Sequence, residues 1–212
     1  MSKLTNQARI VGLETFTRAR KESNLKRLRE AADKVFGEKG YFAPTIEDIA
    51  QAAGVSRQTF YRHFETKYAI ALDMFERESA AVDPLWRVIG ERNFRKREVI
   101  VAWMEKLFEV YNSRRRIMRT IIEMGVVERS FMARIERIVP DVIRDLGESI
   151  PAFAATRGSG KAAKRRWAEA WLLLYQVLDQ CTITSMGFLQ MPRELLVELL
   201  AERLYQFMNP KS

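Results

Sequence analysis

Cysteine, histidine, proline and glycine are all scarce in this chain of 212 residues. The single cysteine, Cys181, excludes an intrachain disulfide framework and is typical of a protein kept in the reducing cytoplasm. One histidine and one cysteine cannot supply the usual ligand sets for zinc, so we expect no metal site. Six prolines and ten glycines are too few for the frequent turns of an all-β chain. The composition therefore favours an all-α protein of the cytoplasm.

Signals of catalysis and of membrane insertion are missing as well. The sequence has no P-loop, dinucleotide fingerprint or nucleophile motif, and its N-terminus does not resemble a signal peptide. The most apolar segment, 171–191, is interrupted by Gln176, Asp179 and Gln180, so it fails the test of about 20 apolar residues for a membrane span. We therefore expect no catalytic residue, no cofactor and no membrane partner.

Positive charge is what the chain has in excess, with a formal net charge of +9 at pH 7. Such an excess favours acidic partners such as nucleic acid, although charge alone identifies no site. Residues 1–23 form a basic arm that includes Arg18, Arg20 and Lys21 and lacks a sustained apolar face. The arm is either a frayed, solvated terminus or an extension that binds phosphates or enters a minor groove.

A short amphipathic helix follows the arm. Asn24 is its predicted N-cap, and Gly40 is its predicted end, with Tyr41 folding back on Phe36. Apolar residues recur at helical spacing along one face: Leu25, Leu28, Ala31, Ala32, Val35 and Phe36. This stripe predicts the packing surface of a small core.

The stretch from Thr45 to Lys67 predicts two helices joined by a tight turn. Thr45 is a good N-cap with Asp48 completing a capping box, and Gly54 suits a turn that needs positive φ. Ser56 caps the second helix, predicted over 57–63. Helical spacing places Arg57, Gln58, Tyr61 and Arg62 on one face, and Thr59, Phe60 and His63 on the other. This is the layout of a helix-turn-helix, whose second helix enters the major groove.

Residues 25–72 closely resemble the tetracycline-repressor (TetR) family of bacterial one-component regulators. The resemblance rests on a helix ending VFGEKGYFAPTIEDIA, on AAGVSRQTFYRHFETK after it, and above all on the run Phe60-Tyr61-Arg62-His63-Phe64 with Lys67. It implies a three-helix DNA-binding head over 24–66 and a helical effector-binding and dimerising body over 67–212. Within the body, 67–83 is implied to be a connector helix that starts after the cap Thr66 and ends or kinks at Asp83-Pro84.

The same resemblance assigns the DNA-binding residues. Arg57, Gln58 and Tyr61 would face the groove, and phosphates would be held by Thr45, Tyr61, His63 and Lys67. Ser56 and Arg62 complete the predicted set. Because many relatives carry another residue at the position of Arg62, the resemblance does not transfer a base preference.

The body is predicted as a series of helices. Periodicity indicates helices over 95–112, 114–123 and 128–153, the last kinked at Pro140, then a loop over 156–160 and long helices over 162–186 and 192–208. The last two carry more apolar residues than one buried face needs, which predicts a homodimer through a four-helix bundle. Large adaptable side chains are ordinary core residues singly, but together they predict a pocket for an unidentified effector: Trp103, Phe108, Tyr111, Met118, Met124, Phe131, Trp171 and Tyr175.

We therefore expect a DNA-binding transcriptional regulator, a repressor that a small molecule releases from a palindromic operator. Two alternatives remain open at this point. The first is a DNA-binding regulator with no small-molecule effector, which predicts a filled core in the body. The second is an enzyme that uses the helical body, which requires a catalytic constellation that the sequence does not contain.

Overall fold

The structure of the chain, a computed structural model, describes residues 2–91, 96–188 and 191–210, with side chains for all of these except 2–14, 81, 87 and 89–91. The described residues form α-helices and no β-strand, as the composition predicts. In chain order the helices are α1 (Ser2–Lys39), α2 (Ile46–Ala52), α3 (Arg57–Tyr61), α4 (Lys67–Glu91), α5 (Arg97–Ser113), α6 (Arg115–Val127), α7 (Arg129–Ile135), α8 (Ile138–Leu146), α9 (Pro151–Ala154), α10 (Lys161–Ser185) and α11 (Arg193–Met208).

The chain divides into two compact units, Met1–Glu76 and Arg77–Ser212. The division falls inside α4, which begins in the first unit and ends in the second. None of the helices within the described ranges is long and apolar enough to cross a membrane.

The helix α1 is longer than predicted, because it runs unbroken from Ser2 to Lys39. Asn24 lies inside it and caps nothing, so the predicted start was wrong. No proline interrupts these residues, and a helix that is already packed at one end extends at little cost through residues of good helix propensity. The arm of residues 1–23 is accordingly helical from Ser2 onward.

The C-terminal half of α1 forms the core of the first unit, as the apolar stripe predicts. Leu28, Ala32 and Phe36 are fully buried. Gly40 ends the helix with a φ of 74°, and the ring of Tyr41 lies 6.0 Å from that of Phe36, as predicted. From the exposed side of this stripe, Arg29 reaches α4 and donates two hydrogen bonds to the carboxylate of Asp73 at 3.1 and 2.6 Å.

The second unit is built around α5, α10 and α11, which pack on one another. The predicted bounds of α10 and α11 hold to within one residue. At one end of this core the rings of Trp86 and Trp103 lie 5.4 Å apart, and the indole N–H of Trp103 donates to the carbonyl of Leu85 at 2.7 Å. The predicted N-terminal residue of α5, Arg95, lies outside the described residues.

Prolines interrupt the helices less than predicted. α4 continues through Pro84 to Glu91, because the neighbours Val82 and Trp86 are buried in the core and hold the helix across the lost hydrogen bond. Pro140 lies in the first turn of α8, where a missing N–H is tolerated. The predicted single helix over 128–153 is instead three helices, α7, α8 and α9.

Candidate nucleic-acid interface

The start of α2 is fixed by the capping box that the sequence predicts. The N–H of Asp48 donates to Thr45 Oγ1 at 3.1 Å, and the N–H of Thr45 donates to Asp48 Oδ2 at 2.8 Å. These hydrogen bonds from the backbone and hydroxyl of Thr45 lower the pKa of Asp48 below its usual value. The hydroxyl of Thr45 also donates to Asp48 at 2.8 Å, so it is engaged within the chain.

The turn between α2 and α3 is held by backbone geometry and by α1. Gly54 has a φ of 60°, a conformation that glycine adopts without a steric penalty. Its carbonyl accepts a hydrogen bond from Arg27 Nη2 at 2.9 Å, which fastens the turn to α1. The N–H of Val55 donates to the carbonyl of Ala50 at 3.0 Å and closes the end of α2.

α3 has one buried face and one exposed face. Ser56 caps it by accepting the N–H of Thr59 at 3.1 Å. Thr59 and Phe60 are buried, Phe60 completely, as predicted. The opposite face is exposed and carries the residues that the sequence places there: Arg57, Gln58, Tyr61 and Arg62.

Arg57 is pre-positioned along the exposed face of α3. Its Nη1 lies 2.6 Å from Glu47 Oε1, and its Nη2 donates to the hydroxyl of Tyr61 at 3.2 Å. The guanidinium carbon also lies 5.5 Å from the centre of the Tyr61 ring. The hydrogen bond to Tyr61 and the charge of Glu47 raise the pKa of Arg57, which stays charged. These contacts orient a cation and a phenol side by side toward solvent.

Two other predicted cations are partly used inside the unit. Arg62 Nη2 donates to the hydroxyl of Thr59 at 2.8 Å, so its guanidinium folds back over α3. The ammonium group of Lys67 donates to three carbonyls, those of Tyr41, Phe42 and Pro44, at 2.8, 3.3 and 3.0 Å. Because an ammonium has three N–H bonds, Lys67 fastens the connection between α1 and α2. This role in folding was not anticipated from the sequence.

His63 is half-buried at the end of α3. Burial lowers its pKa below the usual value of 6.5, and the positive charges of Lys21 and Arg62 lower it further. His63 is therefore neutral near pH 7. The effect of Lys21 also places the end of the basic arm within electrostatic reach of α3.

Comparison with known proteins agrees with this geometry. The family model described as bacterial regulatory proteins, tetR family, matches residues 28–74. Residues 28–74 belong to the TetR family. Its members are transcriptional regulators and not enzymes.

Individual relatives match this chain over part of its length. The biofilm operon icaADBC HTH-type negative transcriptional regulator IcaR of Staphylococcus aureus is 26% identical over 121 residues, which are 56% of this chain and 63% of the relative. The chain thus spans less than two thirds of the length of that relative. The uncharacterized HTH-type transcriptional regulator YerO of Bacillus subtilis is 37% identical over 51 residues, 24% of this chain and 18% of YerO.

Solved structures of the TetR family share the fold over most of the chain. A TetR-like transcriptional regulator from Rhodococcus has a TM-score of 0.59 at 15% identity, covering 89% of this chain and 97% of its own. A TetR family transcription regulator from Marinobacter aquaeolei has a TM-score of 0.55 at 19% identity, covering 90% and 97%. At these identities the likeness concerns the fold alone.

The predicted effector residues do not all lie in one cluster. Trp103 and Phe108 are core residues, with Tyr111 and Trp171 packed against the same cluster. Tyr175 is half exposed and stacks on Trp171 at 5.0 Å. Three more are buried on α6 and α7, outside that cluster: Met118, Met124 and Phe131.

One polar group near this core, Thr184, was not predicted from the sequence. Its neighbour Cys181 is buried, and burial raises the pKa of the Cys181 thiol while the charge of Arg193 opposes the shift. Burial also raises the pKa of Tyr111, and the charge of Cys181 adds to the increase, so the two groups lie close together. One turn further along α10, Thr184 Oγ1 is buried without a hydrogen-bond partner among the described residues. Only the folded packing reveals such a hydroxyl.

The lowered pKa of His63 has a consequence for stability. The unfolded chain binds a proton at His63 more tightly than the folded chain does, so the free energy of unfolding should fall as pH drops below 6.5 and rise as pH increases. His63→Gln should lose this component between about pH 5 and about pH 8. Urea unfolding of both proteins across that range measures it. Because His63 is the only histidine, identical pH profiles would contradict the assignment.

Proposed function

We propose that this TetR family regulator is a transcriptional repressor that binds a palindromic DNA operator through α3 and is released by a small molecule. The observation that carries the proposal is the exposed face of α3, held in place by the buried Phe60 and the cap Ser56. An exposed helix with fixed donors at one surface fits the major groove. The name of IcaR as a negative regulator supports repression. Since bacterial DNA is the proposed partner, the cytoplasm is the proposed location.

The contacts within α3 suggest a division of labour on DNA. Gln58 is exposed and can pair with an adenine edge through two hydrogen bonds, so we assign it to base reading. Tyr61, whose hydroxyl already lies beside Arg57, is assigned to a phosphate with that arginine. His63 is assigned to the edge of the surface through which Tyr61 and Arg57 contact the phosphate.

Some residues that the family resemblance implies as phosphate contacts are given a narrower role. Thr45 and Ser56 use their hydroxyls as caps, and Lys67 donates to three carbonyls. Thr45 and Ser56 thereby stabilise the starts of α2 and α3, and Lys67 stabilises the connection between α1 and α2. Arg62, folded over Thr59, is assigned a supporting contact.

The DNA-reading assignment predicts different effects of two substitutions. Selection of genomic fragments by the purified protein should first yield an operator with two half-sites. Tyr61→Phe should weaken binding to every sequence by about 1 kcal/mol, the scale of one lost hydrogen bond. Gln58→Ala should instead relax preference at one base pair per half-site, by about 1–3 kcal/mol. Binding measurements on a library of single-base operator variants distinguish the two. An identical, uniform loss in both variants would refute the division of labour.

The proposed partner in binding a palindrome is a second copy of the chain. Apolar side chains remain exposed on α10 and α11: Trp167, Leu172, Tyr175, Leu195 and Leu199. The two helices are neighbours, because Arg203 of α11 donates to the side chain of Gln176 of α10 at 2.5 Å. Contiguous exposed apolar surface of this kind marks an interface between proteins. We assign it to a four-helix bundle formed by α10 and α11 of two protomers.

The dimer proposal predicts the effect of a charge at Leu199. Leu199 is 54% exposed, whereas its neighbour Leu200 is in the core, so Leu199→Arg should give a folded monomer that no longer retains the palindromic operator. Val126→Arg on α6 is a matched control, because Val126 is 77% exposed and lies outside the proposed interface. Light scattering and circular dichroism report assembly and folding. A wild type that is monomeric at micromolar concentration would exclude the dimer.

The effector proposal rests on the hydroxyl of Thr184, which has no hydrogen-bond partner among the described residues. A buried hydroxyl without a partner costs about 1–3 kcal/mol, unless a bound molecule supplies the hydrogen bond. Cys181 lies one turn away on α10 in the apolar core of the body, and Tyr111 lies close to it. We therefore assign the body a mostly apolar effector with one hydrogen-bonding group.

Substitution of two threonines on α10 tests this assignment. Thr184→Val should leave the free energy of unfolding unchanged or raise it, because it removes an unpaired hydroxyl, but should lose the effector. The control Thr182→Val removes a hydroxyl that donates to the Leu178 carbonyl at 2.9 Å, so it should lose about 1 kcal/mol and keep the effector. Thermal unfolding and native mass spectrometry of the proteins purified from cell extract provide the readouts. A wild type without any bound molecule would favour the regulator with no effector.

A further inference from the structure

The segment that carries the proposed reading surface, the exposed face of α3, has no net charge of its own. Three cations stand against three carboxylates in residues 45–67, although the chain as a whole has a formal net charge of +9. Two of these cations, Arg62 and Lys67, donate to a hydroxyl and to backbone carbonyls within the unit. The third, Arg57, is paired with the carboxylate of Glu47. A cation of the reading surface therefore has a counter-ion within the fold.

Glu47 connects the first turn of α2 to the exposed face of α3. Its Oε1 lies 2.6 Å from Arg57 Nη1. The same guanidinium donates through Nη2 to the hydroxyl of Tyr61 at 3.2 Å, and its carbon lies 5.5 Å from the centre of the Tyr61 ring. Arg57 is thus held by a carboxylate of one helix and by a phenol one turn further along its own helix. Its direction is set by α2 as well as by α3.

Both side chains of this ion pair lie in solvent. Arg57 is 63% exposed and Glu47 is 54% exposed. An exposed ion pair contributes little to stability, so a DNA phosphate can take the place of Glu47 as the partner of Arg57. While the pair is closed, its two opposite charges cancel at a distance, and it attracts a phosphate far less than a lone arginine does. DNA can therefore open the pair, but the closed pair does little to attract DNA.

We propose that Glu47 is a specificity-determining residue, an internal counter-ion that limits the attraction of Arg57 to DNA of any sequence and holds its guanidinium ready for the operator. The proposal rests on the proposed function, because it requires α3 to bind duplex DNA. It adds a role for a residue of α2 that makes no base contact of its own.

Operator and unrelated DNA differ in what they offer this pair. On the operator, the base contacts of α3 fix its register, so one phosphate comes within hydrogen-bond distance of the oriented guanidinium and replaces Glu47. On unrelated DNA no register is fixed, and the pair stays closed. Because non-specific binding comes almost entirely from the attraction of cations to phosphates, a closed pair weakens it. Glu47 thereby raises the ratio of operator affinity to unrelated affinity.

The salt dependence of DNA binding tests this role. Glu47→Gln keeps the shape of the side chain and removes its charge. On unrelated DNA the released Arg57 should steepen the slope of log K against log salt by about 0.9 per head, which is about fivefold tighter binding at about 0.15 M salt. On the operator, where Arg57 already contacts a phosphate, the slope should stay that of the wild type. The ratio of the two affinities should therefore fall.

A background without the arginine shows whether Glu47 acts through Arg57. In the Arg57→Gln protein no guanidinium is left to release, so the addition of Glu47→Gln should leave the slope on unrelated DNA unchanged. A carboxylate that merely repels DNA would instead give the same gain in affinity in both backgrounds, and this result would overturn the counter-ion role.

The matched control removes a carboxylate from an ion pair of the other unit. Glu109 of α5 lies 3.1 Å from Lys106, and both side chains are about as exposed as those of Glu47 and Arg57. Glu109→Gln makes the same change in net charge, so it should keep the wild-type slope and affinity ratio. Glu47 also lies in the first turn of α2, where a carboxylate stabilises the helix start. Circular dichroism and thermal unfolding of each variant therefore accompany the binding measurements.

The possible results separate this role from the repressor function on which it rests. A steeper slope on unrelated DNA that requires Arg57 supports the proposal. A changed preference at one base pair in both backgrounds would show that Glu47 reads a base directly and would overturn it. Wild-type behaviour of Glu47→Gln would overturn it as well, and the repressor function would stand if the wild type selects an operator. A wild type that selects no DNA fragment would overturn both.

Discussion

Burial of Phe60 is the interaction on which the reading surface depends. α3 has only five residues, too few for a helix to be stable in water by itself. Its order comes from the fully buried ring of Phe60, from the cap Ser56 and from the turn that Gly54 makes possible. Gln58, on the opposite and exposed face, takes no part in these contacts, so it can be exchanged without loss of the fold. The rigid core under α3 holds the helix in place, and a base-reading residue on its exposed face can be exchanged. This combination suits a family of DNA-binding regulators that recognise different sequences.

The head was predictable because its signals are local. Thr45, Ser56 and Gly54 each act within a few residues, and helical periodicity of the apolar positions is read directly from the chain. The start of α1 was missed for the opposite reason. Residues 15–23 are exposed on all sides of the helix and show no apolar periodicity, so only their continuity with the packed half of α1 reveals that they are helical.

In the body, tertiary packing determines whether a helix continues past a proline and which side chains meet, and local sequence patterns predict neither. Proline at position 84 is an expected helix end, yet the buried Val82 and Trp86 carry α4 through it. The effector residues were chosen by size and polarisability, which do not indicate whether side chains converge. Thr184 shows the limit of sequence-based prediction most clearly. A threonine in a helical segment is ordinary, and only the folded structure shows that its hydroxyl is buried with no hydrogen-bond partner among the described residues.

Two lysines of the first unit show that the place of a lysine in the fold, more than its residue type, determines what its ammonium group contacts. Lys67 begins α4 directly beside three backbone carbonyls that no helix satisfies, and its ammonium closes that connection. Lys21 lies on α1 before Leu28, the first buried side chain among the described residues of that helix. It is exposed to solvent, and its charge acts on His63 at the end of α3. The ammonium group of Lys67 stabilises the fold, and a phosphate would have to compete with its three hydrogen bonds to backbone carbonyls. Lys21 contacts no such group of carbonyls among the described residues, so its ammonium stays hydrated and its charge acts within the fold only from a distance, by lowering the pKa of His63.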